Sequence, residues 1–173
     1  MRETWKFFTW NLASLNEESV PLPHGLLLRT GSRADEAPVA ALVERSFTTD
    51  SQWTGSYSRI AEPLSQRIHE AFRSQSSPAL VILHGPRIIA ASVFSTDLDA
   101  DNHLFCGPCV LPEYRSRRIG SALLLESLLT LRNLGARVAR AVCKEGTTAS
   151  KFVYPKFGAV VETYESEPFE LIR

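Results

Sequence analysis

The segment V-L-P-E-Y-R-S-R-R-I-G-S, Val110 to Ser121, limits what this chain can fold into more than any other stretch. An apolar strand leads into it and the leucine-rich stretch Ala122 to Leu134 leaves it, so the chain passes from strand to helix through an arginine-rich turn that ends in glycine. At a helix start the first backbone N–H groups lack intrahelical partners, and the macrodipole places partial positive charge there. A phosphate suits both features. Gly120 has no side chain to hold a phosphate away, and Arg115, Arg117 and Arg118 offer charge-assisted donors around the rim. The plainer alternative is a solvated basic helix start.

Strand and helix patterns alternate along the rest of the chain. Leu26 to Arg29 reads as a short strand, and Ala34 to Phe47 as a helix with Val39, Leu42, Val43 and Phe47 on one side. Thr48 to Ser58 reads as a polar loop. Ile60, Leu64, Ile68 and Phe72 recur every four residues, which predicts an amphipathic helix over Arg59 to Arg73, with Pro63 near its start. Ala79 to Leu83 and Ile88 to Ser95 form a hairpin around His84-Gly85-Pro86-Arg87. The acidic turn Thr96 to Asn102 leads to a strand over Leu104 to Leu111, Gly135 ends the motif helix, and Arg137 to Cys143, Ala159 to Tyr164 and Phe169 to Ile172 are further strands. This order predicts an α/β or α+β domain with a mixed sheet, but it does not fix the pairing.

Composition sets bounds. A chain of 173 residues with 44% hydrophobic content suffices for one domain with a sizeable core. Lysine plus arginine equals aspartate plus glutamate at 19 each, so no global field favours nucleic acid or a membrane surface. There is neither an apolar run long enough to span a bilayer nor a secretory leader, and the odd count of three cysteines suits a reducing compartment; a soluble, cytoplasmic protein is expected.

The turn resembles the acetyl-coenzyme A site of the GNAT N-acetyltransferase superfamily, which reads roughly V-x-P-x-x-Q/R-x-x-G-x-G/A. Val110, Pro112, Arg115 and Gly120 fall on that pattern, while Arg118 stands where the family's first glycine usually lies. A second stretch, T-T-A-S-K-F-V-Y-P-K-F-G, Thr147 to Gly158, resembles the family's later N-x-x-A-x-x-x-Y-x-x-x-G, with Tyr154 and Gly158 in register, Thr147 in place of asparagine and Ser150 in place of alanine. The resemblance covers roughly Leu26 to the C-terminus. It implies a central mixed, mostly antiparallel sheet of six to seven strands flanked by about four helices over residues 25–173, with residues 1–24 as an N-terminal extension. That extension holds Trp5, Phe7, Phe8, Trp10 and Leu12, and is expected to pack on the domain as an added strand or cap rather than to form an exposed interaction site.

The resemblance implies an N-acetyltransferase with acetyl-coenzyme A (acetyl-CoA) as acyl donor, whose thioester carbonyl a neutral primary amine attacks directly. It assigns cofactor binding to Cys109, Val110, Arg115, Ser116, Arg117, Arg118, Ile119, Gly120, Ser121 and Thr147. Tyr154 becomes the general acid for the departing thiolate, since a phenol with a pKa near 10 keeps its proton at neutral pH. The expected partner is an amine on a small molecule or peptide, with neither nucleic acid nor membrane, and a homodimer stays open. A noncatalytic coenzyme A-binding or sensing module is the alternative.

Two questions remain open in the sequence. Cys106-Gly107-Pro108-Cys109 has the form of a thioredoxin-type pair, but it lies in a strand rather than at a helix start, which argues against redox chemistry. A zinc site from His103, Cys106, Cys109 and Cys143 is disfavoured because residues three apart in an extended strand face opposite sides, unless Gly107-Pro108 kinks it; no metal is expected. The general base is undetermined among Glu145, Asp97, Asp99, His103, Glu44 and a water relay. His24, His69 and His84 read as surface or turn residues, and Glu162, Glu165, Glu167 and Glu170 as a solvated edge or a preference for cationic acceptors.

Overall fold

The computed structural model describes residues 2–76 and 78–166. The strand expected over Phe169 to Ile172, together with Glu167 and Glu170, lies outside them. Among the described residues seven strands form two antiparallel sheets. One runs β2 (Leu26–Thr30), β3 (Ala79–His84), β4 (Arg87–Val93), β5 (Cys106–Val110) in spatial order; the other runs β6 (Val138–Lys144), β1 (Glu3–Asn11), β7 (Val160–Ser166). The helices are α1 (Glu36–Thr48), α2 (Tyr57–Arg73), α3 (Ile119–Asn133) and a π-helical turn over Ala149–Val153. None of the described helices is long and apolar enough to cross a membrane.

Apolar spacing explains the helices. The four-residue repeat of Ile60, Leu64, Ile68 and Phe72 puts all four side chains in the core. Because α2 starts at Tyr57, Pro63 falls inside the helix and leaves its hydrogen-bond ladder one donor short. Helix α3 is apolar on nearly every side and buried along most of its length, with Leu123, Leu124, Leu128 and Leu131 fully enclosed. Near the start of α1, Asp35 takes a two-pronged contact from Arg29 (2.7 and 3.0 Å) and the Ser32 N–H (2.7 Å), and the Arg29 bonds hold its carboxyl down at about 2.

The N-terminal segment sits deeper than an added strand or cap. β1 is the middle strand of its sheet, paired along one edge with β6 (Trp5 opposite Lys144) and along the other with β7 (Trp5 opposite Tyr164). Trp5, Phe8, Trp10 and Leu12 are all buried. Its hydrogen-bonding partners lie near the far end of the chain, so nothing local in the sequence marks them.

Between the two sheets, β5 and β6 diverge. The residues just before β5 carry the junction: His103 and Leu104 N–H donate to the Arg140 carbonyl (2.9 and 3.2 Å), Val142 N–H donates to Asn102 Oδ1 (3.3 Å), and Arg140 N–H donates to His103 Nδ1 (3.0 Å). Since Nδ1 accepts, the proton of neutral His103 lies on Nε2, which donates to the Leu98 carbonyl (3.3 Å). Burial holds the pKa of this fully enclosed imidazole below its usual value, helped by the charge of Arg140. His103 is thus a structural joint, with both ring nitrogens engaged.

β5 carries a bulge. Ala91 faces Cys109 and Val93 faces Cys106, so one residue of β4 spans two of β5. Gly107 is required there, because a Cβ would lie 2.5 Å from Ser92 Oγ, which Ser127 Oγ already holds at 2.9 Å. The kink turns Cys106 and Cys109 to the same side, where their thiols hydrogen-bond each other, correcting the expectation that they face apart. All three cysteines are free and buried.

Two predictions follow from this framework. A buried neutral histidine contributes stability above its unfolded pKa near 6.5, and that contribution is lost as pH falls and the unfolded chain takes up the proton. Urea unfolding between pH 7 and 5 is expected to show a slope of stability against pH that is shallower in His103→Gln than in wild type, by up to ~1.4 kcal/mol per pH unit; equal slopes would refute the role. Arg118, which caps α3, has φ +62°, a left-handed conformation that costs a side-chain-bearing residue about 1–2 kcal/mol. Arg118→Gly removes that cost, and the larger entropy of an unfolded glycine offsets part of the gain, so Tm is expected to rise by about 1–4 °C in calorimetry.

Candidate active site

The space left where β5 and β6 diverge is a cavity of about 440 Å³ that runs from the start of α3 to the end of α1. At one end, α3 begins after two left-handed residues, Ser116 (φ +63°) and Arg118 (φ +62°), so that the turn presents its backbone inward. Ala122 N–H already bonds the Arg118 carbonyl, whereas the N–H groups of Ile119, Gly120 and Ser121 precede the first intrahelical bond. A Cβ on Gly120 would meet nothing closer than Val153 Cγ2 at 3.4 Å, so glycine is not demanded by protein packing; its open face belongs to the cavity.

The arginines of this turn have separate tasks. Arg115 points back into the protein, with Nε on the Val110 carbonyl (3.2 Å) and Nη2 on the Ser46 carbonyl (3.2 Å), tying the end of β5 to the end of α1. Arg117 stands outside the cavity wall, its guanidinium 5.5 Å over the Tyr114 ring. Arg118 is exposed at the rim. A cation that sequence reading missed joins it: Lys156 lines the cavity and donates to Ser121 Oγ (2.8 Å) in the first turn of α3. Its place beside Gly158 in the second motif was the only signal for it.

Tyr154 also lines the cavity. The π-helical turn before it closes with Tyr154 N–H on the Ala149 carbonyl (2.9 Å), and Phe8 and Trp10 of β1 pack on its ring at 5.2 and 6.0 Å between centroids. Its hydroxyl donates to the Gly107 carbonyl across the gap between β5 and the segment after β6. Burial pushes the phenol's pKa well above its ordinary value, so it is a protonated donor throughout the neutral range. Cys109, Cys106 and Cys143 surround it. Cys109 is the more acidic of the first pair, held by hydrogen bonds from Cys106 and Ser46 with the charge of Arg115 nearby, while Cys143 is pushed up to about 12 by burial. Thr147 also lines the cavity, but its hydroxyl is already engaged with the Lys144 carbonyl (3.0 Å) and Ser150 N–H (3.2 Å), so it caps the π-helical turn.

The structure therefore brings together Cys109, Val110, Arg115, Ser116, Arg118, Ile119, Gly120, Ser121, Thr147 and Tyr154 around one cavity, and leaves out Arg117. The carboxylates weighed as bases, Glu145, Asp97, Asp99 and Glu44, do not line the cavity; Glu145 pairs with Lys6 (3.4 Å) and Asp97 accepts from Asp99 N–H (3.1 Å). Among the described residues, the one carboxylate on its wall is Asp50, in the stretch read as a polar loop. That stretch is ordered by contacts distant in sequence. Lys144 donates to Glu3 Oε1, the Gln52 carbonyl and Ser56 Oγ, each at 2.9 Å, and so fixes the 3-10 turn Ser51–Trp53 against β1 and β6. For Glu3, burial raises the pKa, yet the bonds from Lys144 and Ser56 outweigh it and the net shift is downward. Among the described residues no three histidine, cysteine or acidic side chains converge as a metal site.

Among curated proteins, none matches the chain. Solved structures share its fold. A GCN5-related N-acetyltransferase from Sphaerobacter thermophilus is 18% identical with a TM-score of 0.60, the match covering 96% of this chain and 52% of that one. A tandem GNAT protein from the clavulanic acid biosynthesis pathway is 16% identical with a TM-score of 0.57, covering 96% and 55%. A GCN5-related N-acetyltransferase from Kribbella flavida is 13% identical with a TM-score of 0.57, covering 96% and 58%. The chain thus spans about half the length of these structures. The sequence model of the acetyltransferase (GNAT) family matches residues 43–159, from within α1 to just past Tyr154, and with that match over most of its length the chain belongs to the GNAT acetyltransferase family.

Proposed function

We propose that this chain transfers an acetyl group from acetyl-coenzyme A to a primary amine. The observation that carries the reading is the continuity of one cavity, which joins the unpaired N–H groups at the start of α3 to the phenol of Tyr154. The chemistry of the donors fits a pyrophosphate: backbone N–H groups at the positive end of a helix, with Lys156 and Arg118 beside them. When bound there, acetyl-coenzyme A supplies an activated acetyl thioester. Gly120 would let the phosphates approach the backbone, and the free edge of β5 around Cys109 and Val110 would hold the pantetheine arm. Tyr154 gives its proton to the departing sulfur, releasing the Gly107 carbonyl as it does so. Family membership and fold support the transferase reading; the acceptor and the step at Tyr154 are the proposal.

Gly120→Val tests the binding half. The new side chain adds bulk where the protein has only ordinary contact distances, so folding is expected to survive while affinity for acetyl-coenzyme A falls at least tenfold in calorimetry. Unchanged affinity in a folded variant would remove the basis of the assignment. Tyr154→Phe tests the chemical half. It keeps the ring packed on Phe8 and Trp10 and removes the donor, so cofactor affinity should persist while kcat for thiol release falls by roughly 10²- to 10⁴-fold. Equal losses of affinity and rate would make the hydroxyl a positioning group instead.

A further inference from the structure

The cavity does not end at Tyr154. Beyond the reacting centre it is walled by the end of α1, the 3-10 turn Ser51–Trp53, the inner side of α2 and the residues just before β5. Phe47, Trp53, Ile60, Leu64 and Phe105 give this part its surface. Phe47 meets Trp53 edge-on with centroids 4.9 Å apart, and Phe105 has the Arg67 guanidinium 4.0 Å from its centroid, so these rings are held by neighbours. The polar side chains on this wall are few. Ser46 accepts from Arg115 at 3.4 Å, and Asn102 Oδ1 accepts from Val142 N–H. Asp50 accepts the Gln52 N–H on Oδ1 (2.9 Å) and keeps Oδ2 without a protein partner among the described residues.

Charge is divided along the cavity. Arg118 and Lys156 lie at the start of α3, Arg115 reaches from that end to Ser46 at the end of α1, and Asp50 is the one negative side chain on the cavity wall among the described residues. An acceptor entering this half meets one counter-ion and a box of apolar and aromatic faces. A diamine or polyamine would bring a second ammonium to a cavity with one carboxylate among the described residues, beside an apolar and aromatic surface.

Resting on the acetyl-transfer reading, the geometry points to a small monoamine with an aromatic or branched apolar body as the acceptor, its ammonium held by Asp50 Oδ2 and its body packed against Phe47, Trp53 and Phe105. Ammonium groups also gain from aromatic faces, so Trp53 adds to the same selection. Asp50 here is a binding residue that orients the amine.

The test has two arms. Calorimetry with 2-phenylethylamine on the protein without acetyl-coenzyme A reads binding alone, and Asp50→Asn is the matched variant, since asparagine keeps the acceptor for the Gln52 N–H. The amine is expected to bind wild type at least tenfold more tightly than Asp50→Asn, with coenzyme A affinity the same in both. In the second arm, thiol release is compared across 2-phenylethylamine, putrescine, glucosamine, phenylalanine and a peptide with a free N-terminus, and 2-phenylethylamine is expected to have the highest kcat/KM by at least tenfold. Equal binding to the two proteins, or preference for putrescine, glucosamine, phenylalanine or the peptide, would overturn the proposal. Binding that depends on Asp50 with no thiol release from any amine would leave the amine pocket standing and overturn acetyl transfer instead.

Discussion

Everything at the candidate site depends on two neighbouring strands that do not pair. β5 and β6 would close a single sheet if their ladder continued, and there would be no room for a ligand between them. The side chain of Asn102 and the peptide N–H groups of His103 and Leu104 reach β6 before β5 begins, so the hydrogen bonds at the top of the gap are made by a connection rather than by a strand. Below that point the bulge at Gly107-Pro108 pulls β5 toward β4, and Pro108 has no N–H to offer. Tyr154 spans the gap with one hydrogen bond to the Gly107 carbonyl. The opening is held from above by a buried neutral imidazole and from the side by a buried phenol, so the protonation states of two groups shape the space in which chemistry takes place.

The strand-to-helix turn shows how a motif can tolerate a departure. Glycine is favoured where φ is positive because a Cβ there crowds the following carbonyl. Arg118 accepts the same backbone and leaves its side chain at the rim. What the usual glycine provides at this position is backbone shape, and the cavity keeps that shape. Lys156, on the segment that follows Tyr154, brings a second cation to the same helix end from the opposite wall.

Local signals were readable in the sequence and long-range ones were not. The repeat of Ile60, Leu64, Ile68 and Phe72 places α2, and the run from Val110 to Gly120 places the turn and its cavity-lining glycine, because in each case the cause lies within a dozen residues. The middle position of β1 could not be read, since strand pairing across the chain leaves no periodic trace. The bulge at Gly107 brings β5 so close to Ser92 of the neighbouring strand that only glycine fits, a contact that β5 alone does not announce. Asp50 and Trp53 escaped for a similar reason: the residues between α1 and α2 look like a polar loop until Lys144 of β6 ties them down.

The central place of β1 bears on how the chain reaches this structure. β1 is synthesised long before β6 and β7, and each of its edges must wait for one of them. Until then a strand bearing Trp5, Phe8 and Trp10 has neither its ladder nor its cover, which is the condition in which strands associate with the wrong partner. The four-stranded sheet with α1 to α3 has mostly nearer connections and can form earlier, whereas closing the second sheet brings the two ends of the fold together at the cost of a large loop. Tyr154 packs on Phe8 and Trp10, so this part of the cavity lining is completed only when that late strand docks, and a folding intermediate lacking β1 would carry the strand-to-helix turn without an ordered phenol.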